Sequence, residues 1–151
     1  MRLWHYKLIS ALPDYQLKGQ WRELCSIARN IALEGSPKNM LVNKIMDYPL
    51  THLCSYAGRV IEEMSVRGWK VKPEKFFGWI ASMDIANFPE ISDDELFKDW
   101  HNERYYLQCY YNLQEKKDCG GISEQEWYKL EARFILDSEY VVGGISNVRV
   151  L

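Results

Sequence analysis

Apolar residues recur at helical spacing between Pro13 and Gly35. These residues are Leu17, Trp21, Leu24, Ala28 and Ile31. Their spacing places them on a single face of an α-helix of about six turns. Pro13 suits the first helical turn, where a missing N–H costs nothing, and Gly35 followed by Ser36-Pro37 is typical of a helix end. The pattern therefore predicts one long amphipathic helix.

Further helices are predicted along the rest of the chain. They cover about 49–67, 73–82, 92–117 (with a break near residue 101) and 123–136. The last two each begin with a capping box, Ser92-Asp93-Asp94-Glu95 and Ser123-Glu124-Gln125-Glu126. Residues 36–48 form either a link or a short helical turn, and the tail from Glu139 forms either a hairpin or a docked coil. We predict a mainly α fold, with residues 1–151 as a single compact helical domain whose short N-terminal arm packs against the first long helix.

Composition and charge limit the possible functions. A hydrophobic content of 47%, with six Trp and ten Tyr, predicts a packed globule and argues against disorder. No apolar run approaches the ~20 residues that span a bilayer, and the N-terminus lacks a signal-peptide pattern, so we expect a cytoplasmic protein without membrane contact. We also expect a monomer. The net charge of −2 argues against tight non-specific DNA binding. However, residues 1–80 carry 12 Lys and Arg against 7 Asp and Glu, a net of +5, which allows a basic face there.

The residues that commonly bind metals show no metal-binding spacing. The cysteines, Cys25, Cys54, Cys109 and Cys119, fit no CxxC or zinc pattern, and we interpret them as plain thiols. The histidines, His5, His52 and His101, could bind a metal only if the fold gathers them. The chain also lacks a phosphate-binding P-loop and a dinucleotide fingerprint, and we predict no metal and no cofactor. Four tyrosines at 105, 106, 110 and 111 either stack bases or belong to a helical core.

The first candidate for chemistry lies beside the apolar stripe of the long helix. Glu23 shares its side of the helix with the amides of Gln16, Gln20 and Asn30, and Arg22 is its neighbour in the chain. A carboxylate flanked by amides, with a cation beside it, can take part in proton transfer. The alternative is that Arg22 and Glu23 are solvated helix charges.

Several motifs occur in the order of a known family. A short arm leads into Leu8-Ile9-Ser10-Ala11-Leu12, and the long helix carries Arg22-Glu23-Leu24. Arg67-Gly68-Trp69, His101-Asn102-Glu103 and Asn112-Leu113-Gln114-Glu115-Lys116 follow. Together they resemble the pyrimidine-dimer DNA glycosylases, the endonuclease V type of small repair enzyme of phage and bacteria. The resemblance covers residues 1–117 and implies a compact helical fold, with residues 118–151 as an extra C-terminal helix and tail.

The resemblance also implies an activity. It implies a DNA glycosylase with abasic-site lyase activity on damaged double-stranded DNA. In the family, the backbone amine of the first residue attacks C1′ of the sugar, displaces the base and forms a Schiff base that permits β-elimination. Catalytic roles are implied for Met1 and Glu23, and phosphate binding for Arg2, Arg22 and Lys116. An α-amino group suits nucleophilic attack on C1′. Its pKa is ordinarily ~7.7–8.0 against ~10.4 for lysine, so near neutral pH it is neutral more often than a lysine side chain.

Some positions differ from the family pattern. The phage enzyme loses its initiator Met and exposes a threonine amine, whereas here the bulky Arg2 follows Met1 and Met1 itself is expected to carry the amine. The arm is then one residue longer, by about 3.3 Å, which a small bulge can absorb. Gln16, Ser26 and Asn112 stand where the phage enzyme has a histidine and two arginines. These differences, with the net charge of −7 over residues 81–151, favour the alternative of a non-catalytic or repurposed member that binds nucleic acid or a protein partner.

Overall fold

The long helix predicted from the apolar pattern is present as α1, Asp14–Glu34. The structure is a computed structural model that describes residues 1–81 and 90–141. All five residues of the predicted stripe are buried on α1, together with Gln20 and Ile27. Gly35 ends the helix with a φ of 85°, and its N–H donates to the Ile31 carbonyl at 2.9 Å. Glycine adopts this left-handed conformation at little cost, which explains why the helix ends where the sequence predicts.

Four further α-helices follow: α2, Leu50–Val66; α3, Glu74–Ala81; α4, Glu103–Asp118; and α5, Glu124–Leu136. The described residues also contain two 3₁₀ helices, Tyr6–Ala11 and Asn43–Asp47, and the second lies in the predicted link. Helices account for 68% of the structure, and the described residues contain no strand. The predicted mainly α fold is therefore confirmed. The sequence predicts a hairpin or a coil from Glu139, but residues 138–141 form a helical turn, in which the Val141 N–H donates to the Asp137 carbonyl at 3.0 Å. The rest of the predicted tail, 142–151, lies outside the described residues.

One compact unit consists of residues 1–3 and the chain from Asp14 to Lys98. Within it, α1 packs against both α2 and α3. Trp21 of α1 lies with its ring centroid 6.4 Å from that of Phe76 on α3, and Tyr56 of α2 is fully buried. Leu3 of the arm is fully buried as well. The short arm therefore contributes to the core of the unit that contains α1.

A second compact unit consists of residues 4–13 and the chain from Asp99 onward. The 3₁₀ helix Tyr6–Ala11 packs against α5 in this unit. Its core is aromatic: Tyr110 of α4 stacks on Phe134 of α5 at 4.3 Å between centroids, and the buried Tyr106 hydroxyl donates to Asp137 at 2.7 Å. Tyr106 and Tyr110 are therefore core residues and do not stack bases. The single domain predicted for residues 1–151 stays a prediction.

The helix predicted over residues 92–117 is wrong before its break near residue 101 and confirmed after it, as α4. Residues 93–100 form turns, and the helix begins only at α4. Phe97 and Asp99 have φ values of 47° and 73°, which a continuous right-handed helix does not allow. The actual N-cap is Asn102, whose side chain accepts from the Tyr105 N–H at 2.9 Å. The His101-Asn102-Glu103 motif thus marks a helix start.

The second capping box is confirmed. The Ser123 hydroxyl accepts from the Glu126 N–H at 3.2 Å. The Glu126 carboxylate in turn accepts from the Ser123 N–H at 3.4 Å. Both donors lack partners within the helix, so this reciprocal pair stabilises the start of α5.

Two buried histidines join the parts of the second unit. The His5 ring accepts from the Lys7 N–H at Nδ1 and donates from Nε2 to the His101 carbonyl at 2.9 Å. The His101 Nδ1 accepts from the Tyr6 N–H at 3.2 Å. Burial lowers the pKa of His5 to about 3 and holds the pKa of His101 well below 6.5. Both rings are therefore neutral in the folded protein at pH 7.

Stability is expected to fall on mild acidification because of these two rings. An unfolded histidine binds a proton below pH ~6.5, whereas the folded His5 and His101 exclude it. The His5 ring should therefore lower the free energy of unfolding by about 2 kcal/mol between pH 7.5 and pH 5, and the His101 ring should lower it further. Urea unfolding at both pH values measures the change. A His5→Gln variant should lose about 2 kcal/mol of this pH dependence, whereas equal stability of the wild type at both pH values would contradict the prediction.

Candidate functional site

The N-terminal arm meets the face of α1 that carries Glu23. The Arg2 backbone N–H donates to Glu23 Oε2 at 3.4 Å. Consecutive backbone nitrogens are at most about 3.7 Å apart, so the α-amine of Met1 lies within about 7 Å of this oxygen. Met1 is 42% exposed and Glu23 is half-buried. An amine and a carboxylate are therefore close together in a place that solvent reaches.

A buried amide connects the arm to the helix. Gln20 Nε2 donates to the Arg2 carbonyl at 2.9 Å and to Glu23 Oε2 at 3.4 Å. On the other side, the Tyr56 hydroxyl donates to Gln20 Oε1 at 2.9 Å. Gln20 is only 1% exposed and Tyr56 is completely buried. Residues three apart share a helix face, which is why Gln20 and Glu23 meet the same arm.

Tyr56 is the site residue that sequence reasoning missed. It lies on the buried side of α2 among apolar residues such as Leu53 and Val60, and its position in the pattern predicts only packing. A buried tyrosine hydroxyl usually finds a hydrogen-bond partner, which was the available signal. The pattern could not show that the partner is an amide on α1, because that pairing depends on how α1 and α2 pack.

The predicted phosphate-binding residues are distributed between the two units. Arg2 and Arg22 lie in the unit of Met1 and Glu23, where Arg22 is exposed and Arg2 is half-buried. Neither Arg22 nor Glu23 forms an ion pair with a residue of the described chain. Lys116 is exposed in the last turn of α4, in the other unit. The first unit therefore contains four of the five predicted site residues.

The positions that differ from the family pattern also lie on these helices. Ser26 is exposed on α1, and Gln16 is half-buried on the same helix. Asn112 is half-buried on α4. None of the three side chains carries a positive charge, so these positions cannot form ion pairs with DNA phosphates. Arg22 is an exposed cation of α1 and immediately precedes Glu23 in the chain.

The histidine rings form hydrogen bonds within the fold, and the cysteines are free thiols. His52 lies in the first unit, where its ring accepts from the Phe97 N–H at 3.1 Å. Within residues 1–81 and 90–141, no cluster of three potential metal ligands occurs. All four cysteines are free thiols, as the sequence predicts, and burial raises the pKa of Cys54 to about 11.

Across the described helices, none is both long and apolar enough to span a membrane.

Comparison with known proteins identifies the family. Residues 1–77, just over half of the 151-residue chain, match the family of pyrimidine dimer DNA glycosylases. The match contains the arm and α1 with Glu23, whereas Lys116 lies outside it. Comparisons with curated proteins and with solved structures gave no match. The family implies DNA as the substrate and glycosylase chemistry as the activity. The resemblance drawn from the motifs is thus confirmed, and the chain belongs to the pyrimidine dimer DNA glycosylase family.

Proposed function

We propose that this protein is a DNA repair glycosylase with abasic-site lyase activity, and that it acts on damaged double-stranded DNA through the Met1 amine and the Glu23 carboxylate. The observation that carries the proposal is the hydrogen bond from the Arg2 N–H to Glu23. It keeps the first residue of the chain beside a carboxylate. An amine nucleophile and a proton acceptor are thereby available to one sugar.

The reaction needs no reactant besides the protein, the DNA and water. The neutral amine of Met1 attacks C1′ of the damaged nucleotide, and the C1′–N bond breaks with its electron pair leaving on the base, which takes up a proton. Opening of the sugar ring then gives a protonated imine between C1′ and the amine nitrogen. Loss of a proton from C2′ and cleavage of the C3′–O bond eliminate the 3′ phosphate, and hydrolysis of the imine releases the enzyme.

Glu23 has two roles in this sequence. Its negative charge stabilises the positive charge that develops on the sugar and on the imine nitrogen. Its free lone pairs can also accept the C2′ proton, since the contacts from Arg2 and Gln20 both reach Oε2 and not Oε1. The half-buried position strengthens both effects, because charges interact more strongly where water is partly excluded.

Arg2, Arg22 and Lys116 are proposed to bind the phosphates beside the damaged nucleotide. Exposed guanidinium groups can bind phosphate oxygens in a bidentate manner, and such contacts position the duplex. Arg22 is exposed and immediately precedes Glu23 in the chain, so a phosphate bound there lies next to the reacting sugar. Lys116 lies in the last turn of α4, where its exposed ammonium group can bind a phosphate oxygen.

Replacing Arg22 with glutamine is expected to weaken DNA binding and its salt dependence. A cation that neutralises one phosphate contributes about one unit to the slope of log affinity against log salt concentration. Arg22→Gln should therefore reduce that slope by about 1, and Lys116→Gln should do the same. Fluorescence anisotropy of a labelled duplex over a range of salt concentrations measures it. Arg104→Gln, which removes an exposed arginine from the first turn of α4, should leave the slope unchanged.

Borohydride trapping on a duplex with one abasic site tests the proposed function. Borohydride reduces an imine to a stable amine, so the wild-type protein should become covalently linked to the DNA. Peptide mass spectrometry should place the link on Met1. If no adduct forms at low salt, where binding is strongest, the catalytic proposal is wrong. Binding of the duplex without an adduct would then support the alternative of a non-catalytic family member.

A further inference from the structure

The buried Gln20 amide can adopt only one orientation. Its Nε2 has two hydrogens and faces two acceptors, the Arg2 carbonyl at 2.9 Å and Glu23 Oε2 at 3.4 Å. Its Oε1 faces the Tyr56 hydroxyl at 2.9 Å, which supplies a hydrogen. A reversed amide would place an oxygen against the two acceptors and leave Nε2 against the donor. The two acceptors therefore determine which end of the amide points to the arm, and the Tyr56 hydroxyl holds the opposite end.

Arg2 is consequently held at both of its backbone groups. Its carbonyl accepts from Gln20 and its N–H donates to Glu23. The peptide bond between Met1 and Arg2 is planar, so only one backbone rotation, ψ of Met1, moves the amine nitrogen once Arg2 is fixed. The amine is thus confined to a circle around the Met1 Cα–C bond. Confinement of a nucleophile in this way lowers the entropy cost of reaching C1′.

Packing alone does not account for a glutamine at this position. Gln20 is 1% exposed on the face of α1 that otherwise buries leucine, isoleucine, alanine and tryptophan. A leucine would satisfy the same space without desolvating an amide, which costs free energy unless every polar atom is paired. Each polar atom of Gln20 is paired, and its Nε2 contacts both the arm and the Glu23 carboxylate.

We propose that Gln20 and Tyr56 are positioning residues, which hold the first peptide of the chain so that the Met1 amine faces Glu23. The role rests on the proposed function, since it concerns the nucleophile of that reaction. Neither residue touches the reacting atoms. Gln20 acts through Arg2 and Glu23, and Tyr56 acts through Gln20.

The test compares Gln20→Leu and Tyr56→Phe with Tyr48→Phe. The control removes another tyrosine hydroxyl of the same unit, one that donates to the Lys98 carbonyl. Under single-turnover conditions with saturating protein, the rate of imine trapping on abasic DNA should fall about 10- to 100-fold in the first two variants. The dissociation constant for the DNA should stay within about threefold of the wild type, and Tyr48→Phe should react normally.

A second measurement needs no DNA. Exchange of the Arg2 amide hydrogen, followed by NMR, should become at least about tenfold faster in Gln20→Leu and Tyr56→Phe, because the arm is no longer held. A variant that merely loses packing would not trap the DNA more slowly while keeping the same DNA dissociation constant. If Gln20→Leu does not fold, Tyr56→Phe, which removes a single oxygen atom, decides the result.

The outcomes separate the two proposals. Wild-type trapping rates in both variants, or an equal fall in Tyr48→Phe, would overturn the positioning role while the wild-type adduct still supports the function. If the wild type forms no adduct, the proposed function fails, and the amide exchange alone decides whether Gln20 and Tyr56 hold the arm. Unchanged Arg2 exchange would then overturn that role as well, and faster exchange would support it.

Discussion

Acetylation of the Met1 amine is expected to abolish the borohydride-trapped adduct, with a loss of at least about 100-fold. An amide nitrogen is not nucleophilic, so no imine can form at C1′ when this group is blocked. Selective acetylation near neutral pH is feasible, because an α-amine is far less protonated there than a lysine. Intact-protein and peptide mass spectrometry should show one acetyl group, on Met1. The DNA dissociation constant should change by no more than about threefold, since one positive charge is lost.

A second form of the protein controls for the modification chemistry. A chain extended by Gly-Ser before Met1 keeps a free α-amine but moves it by up to about 7 Å. Its trapping rate should also fall sharply, because the displaced amine no longer lies beside Glu23. An adduct of undiminished yield in the acetylated protein would instead assign the chemistry to a lysine and contradict the role of Met1.

The part of the site that lies on α1 is predictable from sequence for a simple reason. Helical spacing relates Gln20, Arg22 and Glu23 to one another without any knowledge of the rest of the fold. The boundaries of α1 are predictable for the same reason, since Pro13 favours a helix start and Gly35 favours a helix end through their own backbone conformations. The family motifs then indicated which of these residues to connect with chemistry.

The contacts between elements could not be predicted in the same way. The hydrogen bond from Tyr56 to Gln20 joins residues 36 apart in the chain, and a hydrophobic pattern does not state which helix faces which. The helix expected at Ser92 failed for a different reason. A capping box describes only the first turn, whereas the backbone at Phe97 and Asp99 adopts left-handed conformations that interrupt any helix a few residues later.

The arm shows how a short segment gains a fixed position. Residues 1–8 are too few for a stable isolated helix. In the structure, Leu3 and Trp4 are buried, each in its own unit, and a 3₁₀ helix begins at Tyr6. The buried side chains and the two backbone hydrogen bonds of Arg2 hold the arm in place without the hydrogen bonds of a longer helix.

Glu23→Gln is expected to lower the rate of strand cleavage at an abasic site by about 10²- to 10³-fold. The substitution preserves shape, and a glutamine oxygen can still accept from the Arg2 N–H, so the arm and the fold should be retained. The amide cannot accept the C2′ proton or offset the charge of the imine, and loss of such a group costs about this factor. DNA affinity should be equal to or higher than that of the wild type, because a negative charge is removed from the surface proposed to bind DNA phosphates.

The matched control is Glu34→Gln, which removes a carboxylate from the exposed C-terminal end of the same helix. It should cleave at the wild-type rate. Single-turnover cleavage of a 5′-labelled duplex at saturating protein measures all three proteins, and parallel trapping separates imine formation from elimination. Cleavage by Glu23→Gln within about threefold of the wild type, or an equal loss in Glu34→Gln, would remove Glu23 from the chemistry. A large loss confined to Glu23→Gln would instead show that the carboxylate held beside the chain terminus is the group that carries out proton transfer.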